Sequence, residues 1–217
     1  MEKIRIDYLN NHIDYKVCQH EDMYHFNSDT CLLGEFININ KSEKVLDVGT
    51  NNGALLIYII KKGGIATGIE INDKALEVCQ MTLDLNSLKA TLINQDFKTY
   101  KSEEKYDVIV TNPPYFNTTS DAKKSVNEHI KIARHEQMLT LKDLCKGIKD
   151  NLKESGRLYM VHRPNRLNEI SNELNKNGLY IDYYQQVFDK NTNKNRSVLI
   201  CASFTKKEGK RIEDLYI

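Results

Sequence analysis

Apolar positions along the chain alternate between short β-forming runs and sets spaced at the helical period. Lys44–Gly49 (KVLDVG) reads as a strand that ends in an acid and a glycine. Thr50-Asn51-Asn52-Gly53 turns, and Ala54–Lys62 is an apolar helix closed by Gly63-Gly64, a helix-ending pair. Ile65–Glu70 is a second strand ending in an acid. Asp73–Asn86 places Ala75, Val78, Cys79 and Leu83 on one helical face. Ala90–Ile93 is a third strand, followed by Asp96 and Phe97, and Tyr106–Thr111 is a fourth. Leu139–Leu152 turns Leu141, Leu144, Cys145, Ile148 and Leu152 inward as a helix. Arg157–His162 is a fifth strand, and Arg163-Pro164-Asn165 opens a helix that runs to Asn177 and ends at Gly178. Tyr180–Phe188 and Ser197–Phe204 form a closing antiparallel hairpin across Asp189–Arg196. Residues 1–25 alternate weakly and read as irregular or as a short hairpin, and Ser28 or Asp29 caps a short helix after it. Lys206–Arg211 reads as a solvated basic run. Strands alternating with helices predict an α/β fold, a doubly wound and mostly parallel sheet with helices on both faces.

Composition narrows the picture. A chain of 217 residues without tryptophan or low-complexity linkers fits one domain. Residues 1–43 then form an N-terminal extension packing near the ligand site, and 117–137 a polar insert too long for an ordinary βα loop. Lys+Arg 31 against Asp+Glu 30 excludes a binder that works by net charge, and leaves a local basic face open. Cys18, Cys31, Cys79, Cys145 and Cys201 form no C-x-x-C, which fits free thiols in a reducing compartment and no metal site. No run approaches ~18 apolar residues, so a cytoplasmic protein with no membrane contact is expected.

The chemistry gathers at strand ends. Asn112-Pro113-Pro114-Tyr115 follows the fourth strand. The prolines fix φ and lack N–H donors, so the chain leaves as a stiff extended hook presenting Asn112 and Tyr115. An amide that both accepts and donates, beside a ring that stacks, suits a planar amino group on a base; the alternative is a loop that only ends a strand. In Asp47-Val48-Gly49-Thr50-Asn51-Asn52-Gly53 the glycines allow close approach of a ligand. Asn51 stands where a dinucleotide fingerprint needs its second glycine, and Asp47 repels phosphate but suits a cation. Glu70 can accept from ribose hydroxyls, and Asp96 from an adenine amino group with Phe97 packed on the ring; each also reads as ordinary turn chemistry. Asp47, Glu70, Asp96 and Asn112 all fall at strand carboxyl ends, where such sheets bind ligands.

These features resemble a class I methyltransferase, a Rossmann-like doubly wound sheet whose last strand runs antiparallel. Phe26-Asn27-Ser28-Asp29-Thr30-Cys31-Leu32-Leu33 is similar to the F-x-x-D-x-x-L-L segment of the tRNA1(Val) adenine-37 N6-methyltransferases. Asn127-Glu128, Ala133-Arg134-His135-Glu136 and Val161-His162-Arg163-Pro164 look like further signatures of that family. The pair Asn51-Asn52 departs from its usual first loop. The resemblance implies S-adenosyl-L-methionine as cofactor, held by Asp29, Asp47, Gly49, Asn51, Gly53, Glu70, Ile71, Asp96, Phe97 and Asn112. It implies catalysis by Asn112, Pro113, Pro114 and Tyr115 on an adenine flipped from a tRNA anticodon loop. Lys123, Lys124, Lys131, Arg134, Arg163 and Arg196 would meet the RNA, His129 and His135 reading as surface residues, and a monomer is favoured. Two other functions share the N-P-P-Y hook or its fold: methylation of a release-factor glutamine, and a non-catalytic RNA-binding module.

Overall fold

The computed structural model describes residues 4–9, 12–113 and 139–217. Pro114, Tyr115, Lys123, Lys124, His129, Lys131, Arg134, His135 and the whole 117–137 insert therefore lie outside the described residues.

The strands are β1 (Ile4–Leu9), β2 (His12–His20), β3 (Lys44–Val48), β4 (Ile65–Glu70), β5 (Thr91–Asn94), β6 (Tyr106–Thr111), β7 (Leu152–His162), β8 (Tyr180–Phe188), β9 (Asn195–Ser203), β10 (Lys210–Arg211) and β11 (Leu215–Tyr216). The helices are α1 (Ser28–Phe36), α2 (Ala54–Lys61), α3 (Asp73–Leu85), α4 (Leu141–Asn151) and α5 (Leu167–Lys176). The main sheet runs in the order β10-β8-β9-β7-β6-β3-β4-β5, with β11 also on β8. The ladders β3–β4, β4–β5, β3–β6 and β6–β7 are parallel, and β9 is antiparallel to both β7 and β8. The closing hairpin is thus not appended at an edge: its second strand is inserted between β7 and β8.

Successive residues of each central strand face opposite sides of the sheet. Val45 and Val108 join Leu33, Leu56 and Leu83 in one core, under α1, α2 and α3. Leu46 and Ile109 join Leu144, Ile148, Ile170 and Leu174 in the other, under α4 and α5. Each such fully buried side chain stabilises the fold by ~1.5–3 kcal/mol. The chain order reverses between β3 and β6, which makes the crevice at their carboxyl ends the switch point of the sheet.

Several elements differ from their expected form. The N-terminal stretch takes the hairpin form of its two expected ones, β1 pairing antiparallel with β2, and β2 is longer than expected because α3 and its C-cap fasten it: Asn86 Oδ1 accepts from the Lys16 N–H (3.0 Å) and Thr82 Oγ1 from the Cys18 N–H (3.0 Å). The N-cap of α1 is Asn27, not Ser28 or Asp29, because its Oδ1 reaches the N–H groups of Asp29 and Thr30. β7 begins at Leu152, where the helix was expected to end, and a register irregularity opposite Tyr106–Val108 absorbs the extra residues. A 3-10 turn, Pro164–Arg166, precedes α5. The basic tail is not merely solvated: Lys210 and Arg211 pair with Tyr183 and Tyr184, and Lys207 bonds Asp182 at 2.9 Å.

All five cysteines are buried and free of disulfides. Among the described residues no helix is long and apolar enough to cross a membrane, and no group of His, Cys, Asp or Glu could hold a metal.

Candidate active site

The loop after β3 is bent to leave backbone exposed. Gly49 has φ +74°, and nothing lies within 4 Å of where its Cβ would point. Gly53 has φ +79° and is the N-cap of α2, and a Cβ there would meet Cys79 Sγ at 2.7 Å. Between them Asn51 is also left-handed, at φ 47°. The two asparagines that replace the expected residues reach the N-terminal stretch. Asn51 Nδ2 donates to the Tyr24 carbonyl at 2.6 Å, and Asn52 Nδ2 to Gln19 Oε1 at 3.4 Å. Gln19 Oε1 also accepts from the Phe26 N–H at 3.0 Å, so one buried glutamine joins the loop to the segment that covers it.

Two acids on neighbouring strands serve this loop differently. Asp47 lies beneath it, 1% exposed; Thr50 Oγ1 donates to Oδ2 at 2.7 Å, and Oδ1 is buried without a partner among the described residues. Desolvation, offset in part by the Thr50 bond and reinforced by the Glu70 charge, pushes its carboxyl up to about 7. Glu70, at the end of β4, is clamped by backbone. Its Oε1 accepts from the N–H groups of Ile71 (2.9 Å) and Asn72 (3.1 Å), and its Oε2 from that of Asn51 (3.2 Å).

Across the crevice, β6 ends in Thr111 and Asn112. Thr111 Oγ1 donates to the Val48 carbonyl at 3.0 Å, tying the ends of β6 and β3 together. Asn112 Nδ2 donates to Thr30 Oγ1 of α1 at 2.9 Å. A pocket opens here, lined by Tyr24, Phe26 and Thr30, by Gly49, Thr50, Asn51, Asn52, Ala54 and Leu55, and by Asn112. Desolvation and then the Asp29 charge push the hydroxyl of Tyr24, a lining residue, up, while the Arg163 charge pulls it back. His162, at the end of β7, is buried and accepts the Arg163 N–H at Nδ1 (2.8 Å). Desolvation and the Arg166 charge hold its imidazole down at about 4, so at neutral pH it is uncharged with its proton on Nε2.

The structure thus brings Gly49, Asn51 and Asn112 into one pocket, with Gly53 at the base of its loop and Glu70 bonded to that loop. Pro113 follows Asn112 and is buried. Asp29 sits in the first turn of α1, and exposed Ile71 stands beside Glu70. Asp96 is taken up by its own turn, accepting from the Lys98 N–H at 2.9 Å and pairing with Lys98 Nζ at 3.4 Å. Phe97 requires a correction: it is 5% exposed, and its ring packs on Gly147 of α4 and on Tyr100 in the core, where burial outweighs a place on the pocket surface. Arg196 lies at the amino end of β9, on the same sheet edge, and bonds Asp189 at 3.3 Å. Tyr24, Phe26, Thr30 and Gln19 were not anticipated as site residues. No spacing marks them, because their roles arise only when the N-terminal stretch docks.

The donor set fits adenosylmethionine and not a pyrophosphate. A buried carboxylate with an orphaned oxygen favours a cation nearby, Glu70 presents a fixed carboxylate to hydroxyl donors, and the open side of Gly49 admits a ligand against backbone. Fold and pocket together define a class I adenosylmethionine-dependent methyltransferase. Comparisons with known proteins agree. The methyltransferase small domain family matches residues 15–177, and the chain belongs to that family. A "tRNA1(Val) (adenine(37)-N6)-methyltransferase" of Bacteroides thetaiotaomicron is 27% identical over 182 residues, 82% of this chain and 76% of the relative. One of the same description from Aliivibrio fischeri (strain MJ11) is 31% identical over 138 residues, 62% of this chain and 58% of that one. Among solved structures, a T. thermophilus 16S rRNA N2 G1207 methyltransferase in complex with AdoMet and guanosine aligns with a TM-score of 0.65 at 18% identity, over 94% of this chain and 50% of that one. A ribosomal protein L11 methylase of Lactobacillus delbrueckii aligns with a TM-score of 0.61 at 20% identity, over 85% and 82%.

Proposed function

We propose that the chain transfers a methyl group from S-adenosyl-L-methionine to the exocyclic N6 of adenine 37 in a valine tRNA. The observation that carries this reading is Asn112. It lines the pocket at the carboxyl end of β6, and its side chain is held there by a bond from Nδ2 to Thr30 Oγ1 at 2.9 Å, so an amide stands on the pocket wall where an amine could meet it. The relatives, tRNA1(Val) (adenine(37)-N6)-methyltransferases, suggest the nucleic acid and the position.

Bound adenosylmethionine supplies an electrophilic methyl on a sulfonium. The residues do the rest. An aromatic amine is a poor nucleophile, because its lone pair is delocalised into the ring. Asn112 Oδ1 and the Pro113 carbonyl accept the two amine hydrogens and localise that lone pair. Tyr115, after Pro114, stacks on the flipped base. Asp47 faces the ligand's positive charge, Glu70 accepts from the ribose, and Gly49, Asn51 and Gly53 shape the backbone against it. In this reading Arg163, Arg196 and the basic residues Lys123, Lys124, Lys131 and Arg134 meet phosphates, so RNA binding weakens with salt. A tRNA substrate places the enzyme in the cytoplasm, and nothing in the mechanism needs a second copy.

Incubation with an unmodified valine tRNA transcript and isotope-labelled adenosylmethionine, followed by nucleoside mass mapping, tests the reading. One N6-methyladenosine at position 37 is expected. Label on another nucleotide, or on a release-factor glutamine in place of tRNA, would overturn it.

A further inference from the structure

We propose that Gln19 is a positioning residue for the cofactor pocket, and that Asp7 on the neighbouring strand sets its orientation from outside. The inference rests on the adenosylmethionine site and not on the choice of tRNA.

A carboxamide is nearly symmetric in shape, and a half-turn about its last bond exchanges an acceptor for two donors. The partners of Gln19 leave it no such freedom. The Phe26 N–H, which can only donate, reaches Oε1 at 3.0 Å. The Asp7 carboxylate, which can only accept, takes the bond from Nε2 at its Oδ2. Asn52 Nδ2 donates to the same Oε1 at 3.4 Å, and Asn52 is turned the right way because its Oδ1 accepts from the Ala54 N–H at 3.4 Å. Gln19 is 3% exposed and Asn52 4%, so these bonds meet little competition from water. The register of the hairpin brings Asp7 to the junction. β1 and β2 pair Asp7 with Val17 and Arg5 with Gln19, which puts Asp7 diagonal to Gln19 on the face that buries Val17. Arg5 Nε and Nη2 hold the same carboxylate oxygen at 2.9 and 2.5 Å. Phe26 and Asn52 line the pocket, one from the N-terminal stretch and one from the loop after β3. A single side chain therefore fixes cover and loop against each other before a ligand arrives, which lowers the ordering cost of binding. The exposed Asn51–Tyr24 bond lies outside this junction.

Gln19→Leu is similar in size and removes all three bonds. The calorimetric dissociation constant for adenosylmethionine, measured where every variant is fully folded, should rise about tenfold. Gln19→Glu keeps oxygens for Phe26 and Asn52 but sets a second carboxylate against Asp7, and affinity should fall by about as much. Asp7→Asn alone can still accept from Nε2 and should cost at most about threefold. Combining Gln19→Glu with Asp7→Asn exchanges donor and acceptor between the two positions and should return affinity to within about threefold of wild type. Wild-type affinity in Gln19→Leu would overturn the proposal, as would a double variant that binds as weakly as Gln19→Glu. So would a lowered melting temperature with unchanged affinity, since that marks a packing role alone. The cofactor site itself fails separately, if the wild-type protein binds no adenosylmethionine.

Discussion

The two sides of the pocket are held on different scales. On the cofactor side, Glu70 is fixed by three backbone N–H groups of its own neighbourhood, and the glycines at 49 and 53 act through backbone shape. On the acceptor side, among the described residues Asn112 is held by a side-chain hydroxyl of α1, 82 residues away in the chain. The first arrangement follows from the strand–turn–helix unit itself, and side-chain replacement leaves its N–H donors in place. The second depends on the docking of α1, so it is the more fragile of the two.

Asn112→Ala is the strongest way to break the acceptor side alone. Its bond to the amine strengthens as the lone pair is directed, so its loss falls on kcat. Turnover should drop ~10²–10³-fold or more, by analogy with removal of one transition-state hydrogen-bonding group. Calorimetric affinity for adenosylmethionine should remain within a few-fold, because the Glu70 clamp does not involve Asn112. A large loss of cofactor affinity in this variant would show that the two sides are not separable.

Glu70→Ala should do the reverse. The ribose hydroxyls lose their acceptor, at ~1–3 kcal/mol, so the dissociation constant for adenosylmethionine should rise about ten- to a hundredfold. At saturating cofactor, kcat should recover most of its value. Unchanged affinity would remove Glu70 from the cofactor site.

The same contrast decides what was readable from the chain. Lys44–Gly49, Ile65–Glu70 and Tyr106–Thr111 announce themselves as buried strands, and the groups at their ends fall on one edge because parallel strands leave no other arrangement. What stayed hidden depends on contacts between distant segments. β2 shows weak alternation because it pairs only with β1 and is otherwise held by Thr82 of α3 and by Asn86, the C-cap of that helix. The Gln19–Phe26–Asn52 junction joins two polar side chains and the backbone N–H of an aromatic residue, none of which stands out when read singly. Phe97 follows an acid at a strand end, which suggests a ligand, yet the space beside Gly147 claims its ring. Aromatic residues next to a site and aromatic residues in a core share one sequence pattern.

Asp47→Asn sharpens the comparison through pH. The native carboxyl titrates at about 7 against 3.8 for the ordinary group, so between those values the folded state binds the extra proton. Its stabilising contribution is greatest at low pH and is lost as pH rises through about 7. Asparagine does not titrate and can still accept from Thr50. The variant should therefore match wild type below about pH 4 and gain on it as pH rises, melting roughly 3–8 °C higher at pH 8. Buried His162 acts in the opposite sense, costing stability as pH falls from 6.5 toward about 4, so the difference between variant and wild type is the useful quantity. On the proposed reading adenosylmethionine should bind the variant more weakly, since the carboxylate assigned to its cationic end is gone. Equal melting at both pH values would show that the carboxylate is not the strained group.

The smallest effect is expected from Asn51→Gly, which restores a glycine to the first loop. Two contributions oppose each other. Asn51 sits at φ 47°, where glycine is more comfortable, but its Nδ2 holds the Tyr24 carbonyl at 2.6 Å. That bond is exposed and worth ~0.5–1.5 kcal/mol, and glycine also adds freedom to the unfolded chain. The melting temperature should fall by no more than about 2–4 °C. The Asn51 N–H that reaches Glu70 Oε2 belongs to the backbone and survives, so cofactor affinity should barely move. What should change is the cover over the pocket: amide exchange at Phe26 and its neighbours should quicken, because one of the two links between this segment and the loop is cut. Faster exchange with intact affinity would show that the asparagines serve the N-terminal segment and leave cofactor binding to the backbone. A many-fold loss of affinity without faster exchange would place the Asn51 side chain in the cofactor's own contacts and erase the distinction between a backbone-built side and a side-chain-built one.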